Sequence, residues 1–124
     1  MRVTVLSSFL FLLMAYVFRG LYVGWVFAAL FASSVIYHGT RRLYAVDKCL
    51  AHFVGLMCFL DALRAGVDCL TLVFWLCFSY VVYLYYFGRQ VFDDHHGDKW
   101  HASLHLATVL GAGCLYRSLY GYKN

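Results

Sequence analysis

Apolar residues fill five stretches of the chain, at about 3 to 18, 20 to 38, 43 to 63, 67 to 88 and 100 to 120, and polar residues gather in the short intervals between them. Each stretch is close to the roughly 17 to 25 residues that an α-helix needs to cross about 30 Å of hydrocarbon. The pattern predicts an all-α fold, a polytopic transmembrane helical bundle of about five helices, formed by residues 1–124 as a single integral membrane domain. Only Arg19 and Gly20 separate the first two stretches. One helix running through both would be about 54 Å long, too much for a single crossing, so a tight hairpin is expected there. Arg2 ahead of an apolar stretch resembles a secretory leader, but no small-x-small cleavage pattern precedes Arg19, which favours a retained helix. No proline occurs, and the one clearly polar connection is 89–99, with Asp93, Asp94, His95, His96 and Asp98.

Composition sharpens this picture. The chain has 124 residues, of which 64% are hydrophobic, 20% aromatic and only 13% charged, too little charge for an ordinary water-soluble domain. Disorder, a coiled coil and a secreted disulfide scaffold are excluded. The net charge of +4 comes from basic residues scattered singly or in the one pair Arg41–Arg42, not from a stripe, which argues against nucleic acid as a partner. Scattered cations of this kind mark helix ends. With five crossings, Arg2, Arg41, Arg42, Lys48, Arg89 and Lys99 share one side and Arg19, Arg64, Arg117 and Lys123 the other, a small bias that puts the first set in the cytoplasm. The five cysteines are odd in number and lack a Cys-x-x-Cys, so they read as small buried residues.

Polar groups inside apolar helices are costly, and each is therefore a candidate for function. Ser34 and His38 stand four residues apart at the end of the second stretch, on one helix face. Asp47 lies near the start of the third. His101 and His105, again four apart, open the fifth behind Asp98 as a candidate N-cap. Counting crossings brings all five residues to one depth. Three imidazoles on two helices can supply the protein ligands of a catalytic Zn(II) site whose fourth position holds water, while Asp47 serves as base or orients the water and Ser34 as oxyanion donor or supporting hydrogen bond. By contrast, His52 reads as a hydrogen bond to a neighbouring helix, Ser33 as a small packing residue, and Asp61, Arg64 and Asp68 as a solvated loop on the opposite side.

Ser34-x-x-x-His38, then Asp47, then His101-x-x-x-His105 resembles the CREST superfamily of membrane hydrolases, which includes alkaline ceramidases, progestin and adipoQ receptors, haemolysin III-like proteins and Per1-like lipid-remodelling factors. The resemblance implies that His38, His101 and His105 bind zinc, and that Ser34 and Asp47 support hydrolysis of an amide or ester bond in a ceramide-like lipid. The motif spans residues 34 to 105. Members usually have seven helices where five are counted here; loss of a pair keeps the crossing parity and removes part of the pocket wall. The expectation is a zinc-dependent lipid hydrolase, integral to an endomembrane or the plasma membrane, with a membrane lipid as substrate and a homo- or hetero-oligomer as one way to complete the wall. The rival readings are a non-catalytic membrane interaction subunit that retains the motif, and a b-type haem protein using His38, His52, His101 and His105 as axial donors.

Overall fold

The computed structural model describes residues 3–40, 42, 44–91 and 97–120, with side chains at 5–40, 42, 45–87 and 101–120. These residues form five helices: α1 Val3–Val17, α2 Tyr22–Thr40, α3 Tyr44–Ala65, α4 Cys69–Val91 and α5 Gly97–Tyr120. No strand occurs among the described residues. Every expected apolar stretch became a helix, with ends displaced by one to a few residues. Asp98, expected to cap α5, is instead its second residue, and its side chain lies outside the described set, as do residues 92–96 of the polar connection.

The hairpin forms where it was expected. Four residues join α1 to α2, with Gly20 at φ +89°, a left-handed conformation that glycine adopts without a Cβ penalty. The Arg19 guanidinium lies 4.4 Å from the centroid of the Tyr16 ring and donates to the Tyr16 carbonyl oxygen at 3.1 Å. Gly24 then lets the two helices close: a Cβ at that position would stand 2.6 Å from the Phe18 carbonyl oxygen. Gly111 does the same between α5 and α4, where a Cβ would meet that of Cys77 at 2.8 Å. Gly24→Ala is therefore expected to destabilise the fold by about 1–3 kcal/mol, since the backbone must move to admit one methyl group, outweighing a helix-propensity gain of about 1 kcal/mol. A detergent melting temperature unchanged or raised in this variant contradicts the close approach.

Gly66, at φ +81°, ends α3, and Asp68 stands just before α4 as its N-cap. The Asp68 carboxylate accepts from the Thr71 amide at 2.8 Å while the Thr71 hydroxyl accepts from the Asp68 amide at 2.8 Å, a reciprocal cap that satisfies two helix-end donors. The Ser118 hydroxyl of α5 donates to the same carboxylate at 2.6 Å, and together with the Thr71 amide it holds the Asp68 carboxyl below the usual carboxylate range. Arg64 and Asp61, expected in a solvated loop, belong instead to the last turns of α3, where Asp61 is buried.

Successive helices run antiparallel, as their contacts show. One end of the bundle joins the starts of α1, α3 and α5 to the ends of α2 and α4. The other joins the ends of α1, α3 and α5 to the starts of α2 and α4. The most extensive packing is of α4 on α5 and of α1 on α2, with α1 also resting on α5; α3 is held more lightly by α2, α4 and α5. Phe11, Phe27, Phe74, Leu115 and Tyr116 form the centre of the core.

Polarity is distributed against the habit of a water-soluble protein. Ser8, Ser33, Ser34, His38, Asp61, Thr71 and His105 are buried, while Leu13, Trp25, Leu56, Leu63, Leu72 and Leu76 are each more than half exposed. Among the described residues two helical segments, α2 and Cys69–Phe87 of α4, are long and apolar enough to cross a membrane. α1 is apolar but only 15 residues long. α3 and α5 have the length and carry more polar residues, among them Asp47, Lys48, Asp61 and Arg64 in α3. The cysteines are all free; Cys58 is buried and Cys77 and Cys114 partly so, but Cys49 and Cys69 are exposed, against the expectation that all five are interior. That difference follows from helix rotation, which a sequence without amphipathic periodicity leaves unspecified.

Candidate metal centre

His38 occupies the last turn of α2, and His101 and His105 lie one turn apart near the start of α5. Antiparallel packing sets these two helix ends side by side. One ligand atom from each imidazole falls within 4.8 Å of the others. The rings stand edge to face: centroids are 4.7 Å apart for His38 and His101, 4.8 Å for His101 and His105, and 5.4 Å for His38 and His105, with interplanar angles of 69°, 82° and 63°. His38 and His105 are buried, and His101 is half-buried.

The donor set fits a metal ion. Imidazole nitrogens about 2.0–2.1 Å from a tetrahedral ion stand about 3.4 Å from one another, so small ring rotations close the observed spread. Rings converging on one ion from different directions are edge to face and not stacked, as here. Three histidines close together can hold a metal ion, and imidazole suits zinc, copper, iron and nickel alike.

Around the cluster, α1 supplies support that the sequence did not announce. The Ser7 hydroxyl lies 2.7 Å from His105 Nδ1, and the Phe11 ring packs on the His105 imidazole at 4.9 Å between centroids. A partner on Nδ1 orients the ring and leaves Nε2 as the donor atom. Tyr37 packs against His38 with centroids 4.9 Å apart. Ser7→Ala is expected to weaken metal binding by about 10- to 100-fold, the usual effect of losing such an orienting bond, with Ser7→Thr restoring most of it. Competition with a chromophoric chelator reads the affinity; an unchanged value removes Ser7 from the site.

Ser34 and Asp47, the expected catalytic pair, lie at this end of the bundle but hold different partners. Ser34 is buried and shares a 2.7 Å hydrogen bond with Ser8 of α1. Asp47, half-buried at the start of α3, accepts a 3.1 Å bond from Ser33, whose hydroxyl also approaches the Leu30 carbonyl oxygen at 3.2 Å. Ser33, expected only to pack, thus ties α3 to α2. Adjacent serines differ by about 100° around a helix, and no sequence pattern in this apolar segment says which of them faces α3. Two adjacent serines inside α1, Ser7 and Ser8, were the one visible sign that the first helix contributes polar groups.

His52 stands apart, as expected. Its Nδ1 lies 2.8 Å from the Lys48 carbonyl oxygen and its Nε2 2.9 Å from the Tyr86 hydroxyl of α4. A carbonyl only accepts, so Nδ1 carries the proton and Nε2 accepts from the tyrosine. Among the described residues, the one group of histidines, cysteines and carboxylates placed so that it could hold a metal ion is His38, His101 and His105; His95 and His96 lie outside them. No protein-family model, no curated protein and no solved structure matches the chain.

Proposed function

We propose that this chain is a zinc-dependent membrane hydrolase of the CREST type, acting on an amide or ester bond of a ceramide-like lipid. The observation that carries the reading is the convergence of His38, His101 and His105 within 4.8 Å at one end of a five-helix bundle. The buried polar groups and apolar exterior support a chain surrounded by lipid, with all five helices inserted and α1, α3 and α5 accompanying the two that qualify on their own. Short or polar helices enter a bilayer when the bundle shields their polar groups, as the packing of Asp61 and His105 does here.

Zinc bound by the three imidazoles supplies a water that ionises near neutral pH and a Lewis acid for a carbonyl oxygen. The protein's residues do the rest. His38 and His105 anchor from the buried side, and His101, half-buried, is the most accessible of the three. Asp47, held by Ser33, accepts the proton of the attacking water and returns it to the leaving amine or alcohol. Ser34, released from Ser8, donates to the oxygen that gains charge. Buried side chains around the rings keep bulk water away.

The test is elemental analysis of detergent-purified full-length protein, followed by incubation with ceramides and other lipid amides and esters. About one zinc per chain and release of fatty acid that stops on chelation and resumes on adding zinc are the expected results. Protein that holds zinc without cleaving any of these lipids overturns the hydrolase reading and favours the interaction subunit. Protein that holds no metal, when purified without chelators, overturns the centre itself.

A further inference from the structure

A cleft of 590 Å³ runs between α1 and α5, on the half of the bundle away from the histidines. Its walls are Leu13, Met14 and Val17 from α1 and Val109 and Gly113 from α5, with Arg117 at its far end. Val109 lies one turn beyond His105, so the cleft starts just past the metal centre. From Val109 to Tyr120, which also lines it, α5 advances about 16 Å, close to the roughly 15 Å hydrocarbon depth of a single leaflet. Arg117 is exposed in the last turn of α5 and makes no ion pair among the described residues, where the one salt bridge joins Arg64 to Asp61. A leaflet-deep apolar trough that ends in an uncompensated cation has the shape and charge of a single anionic lipid.

From these features we infer that the α1–α5 cleft binds an anionic phospholipid of the leaflet opposite the histidines, one acyl chain lying along Met14 and Gly113 and the phosphate on Arg117. The inference rests on the chain being embedded in a bilayer, and is independent of zinc and of hydrolysis. Gly113 forms the floor. A Cβ there meets nothing closer than the Met14 sulfur at 3.9 Å, an ordinary contact, so the helices need not move to admit the first atom of a side chain in the cleft wall. Arg117 selects the head group by charge, an effect of about fivefold for one cation at a membrane surface. The acyl chain binds by burial of its methylene groups.

Native mass spectrometry of the full-length protein, released from detergent with dioleoyl phosphatidylglycerol or dioleoyl phosphatidylcholine added, tests this. Wild type should retain the anionic lipid about fivefold better than the zwitterionic one. Arg117→Gln, a surface change, should equalise the two, and Gly113→Leu should lose both while keeping the wild-type circular dichroism. Equal retention by wild type, or preference unchanged in Arg117→Gln, overturns the inference. Dimer masses that vanish in Gly113→Leu overturn it also, because a second copy of the chain then fills the cleft. Alkaline carbonate extraction of the expressing membranes separates the underlying reading: release into the supernatant sinks embedding and lipid site together, whereas retention with no lipid preference sinks the lipid site alone.

Discussion

Replacing His101 and His105 together by alanine is expected to take the protein from about one bound metal ion per chain to none. Two of the three convergent donors disappear, and the one remaining imidazole, His38, offers a divalent ion a single ligand, as free imidazole does. Apparent binding free energies of full structural zinc sites are about 10–16 kcal/mol, so the change passes from tight retention through purification to none at all. Because both residues stand on α5, the variant leaves α2 intact and preserves Ser33, Ser34 and their bonds to Asp47 and Ser8. Circular dichroism and gel filtration are the controls for whether the bundle persists in the variant. Stoichiometric metal in a folded double variant would remove these histidines from the site, and the zinc hydrolase with them.

Asp61→Ala is expected to lower stability by about 2–4 kcal/mol. The Asp61 carboxylate is buried near the end of α3, and both the Tyr22 hydroxyl of α2 and the Tyr116 hydroxyl of α5 donate to its Oδ2, at 2.5 Å and 2.7 Å. Arg64 reaches Oδ1 at 3.5 Å from a well-exposed position. Alanine removes the acceptor shared by the Tyr22 and Tyr116 hydroxyls and leaves the fully buried Tyr116 hydroxyl with the Cys58 sulfur at 3.9 Å and the Tyr22 hydroxyl as neighbours, and a buried donor deprived of its best acceptor costs about 1–3 kcal/mol. Charge-assisted bonds raise the total, and the low stakes measured for interhelical hydrogen bonds in membranes restrain it. Thermal unfolding in detergent gives the magnitude, and Tyr116→Phe should cost about half as much. Metal content should not change, since this network and the histidines occupy opposite ends of the bundle. A melting temperature within error of wild type would show that α3 does not depend on Asp61.

Different parts of the molecule were legible to different degrees. Apolar run length marked the five helices and the Arg19–Gly20 hairpin, because a chain with so little charge has few other places to turn. Crossing parity brought His38, His101 and His105 to the same end, a result that needs only antiparallel neighbours. Helix rotation was not legible: α2 shows no dominant apolar face, so Ser33 and Ser34 could not be told apart, nor could exposed Cys49 and Cys69 from buried Cys58. Asp61 was misread for a related reason. Followed by Arg64 and Gly66 it has the local look of a solvated loop, and its partners Tyr22 and Tyr116 lie 39 and 55 positions away. Ser7 likewise meets His105 across 98 positions, a distance no local pattern reports.

That last separation sets an order of events when the chain is made. The α1–α2 hairpin needs only neighbouring residues and closes as soon as both helices exist, because short loops cost little entropy. His101 and His105 belong to α5, and they meet His38 and Ser7 only after α1 to α4 have left the ribosome. The histidine cluster is therefore incomplete until α5 exists: a product that stops before Gly97 carries His38 but not the pair that joins it, so any metal the three imidazoles hold is taken up only after α5 has been made.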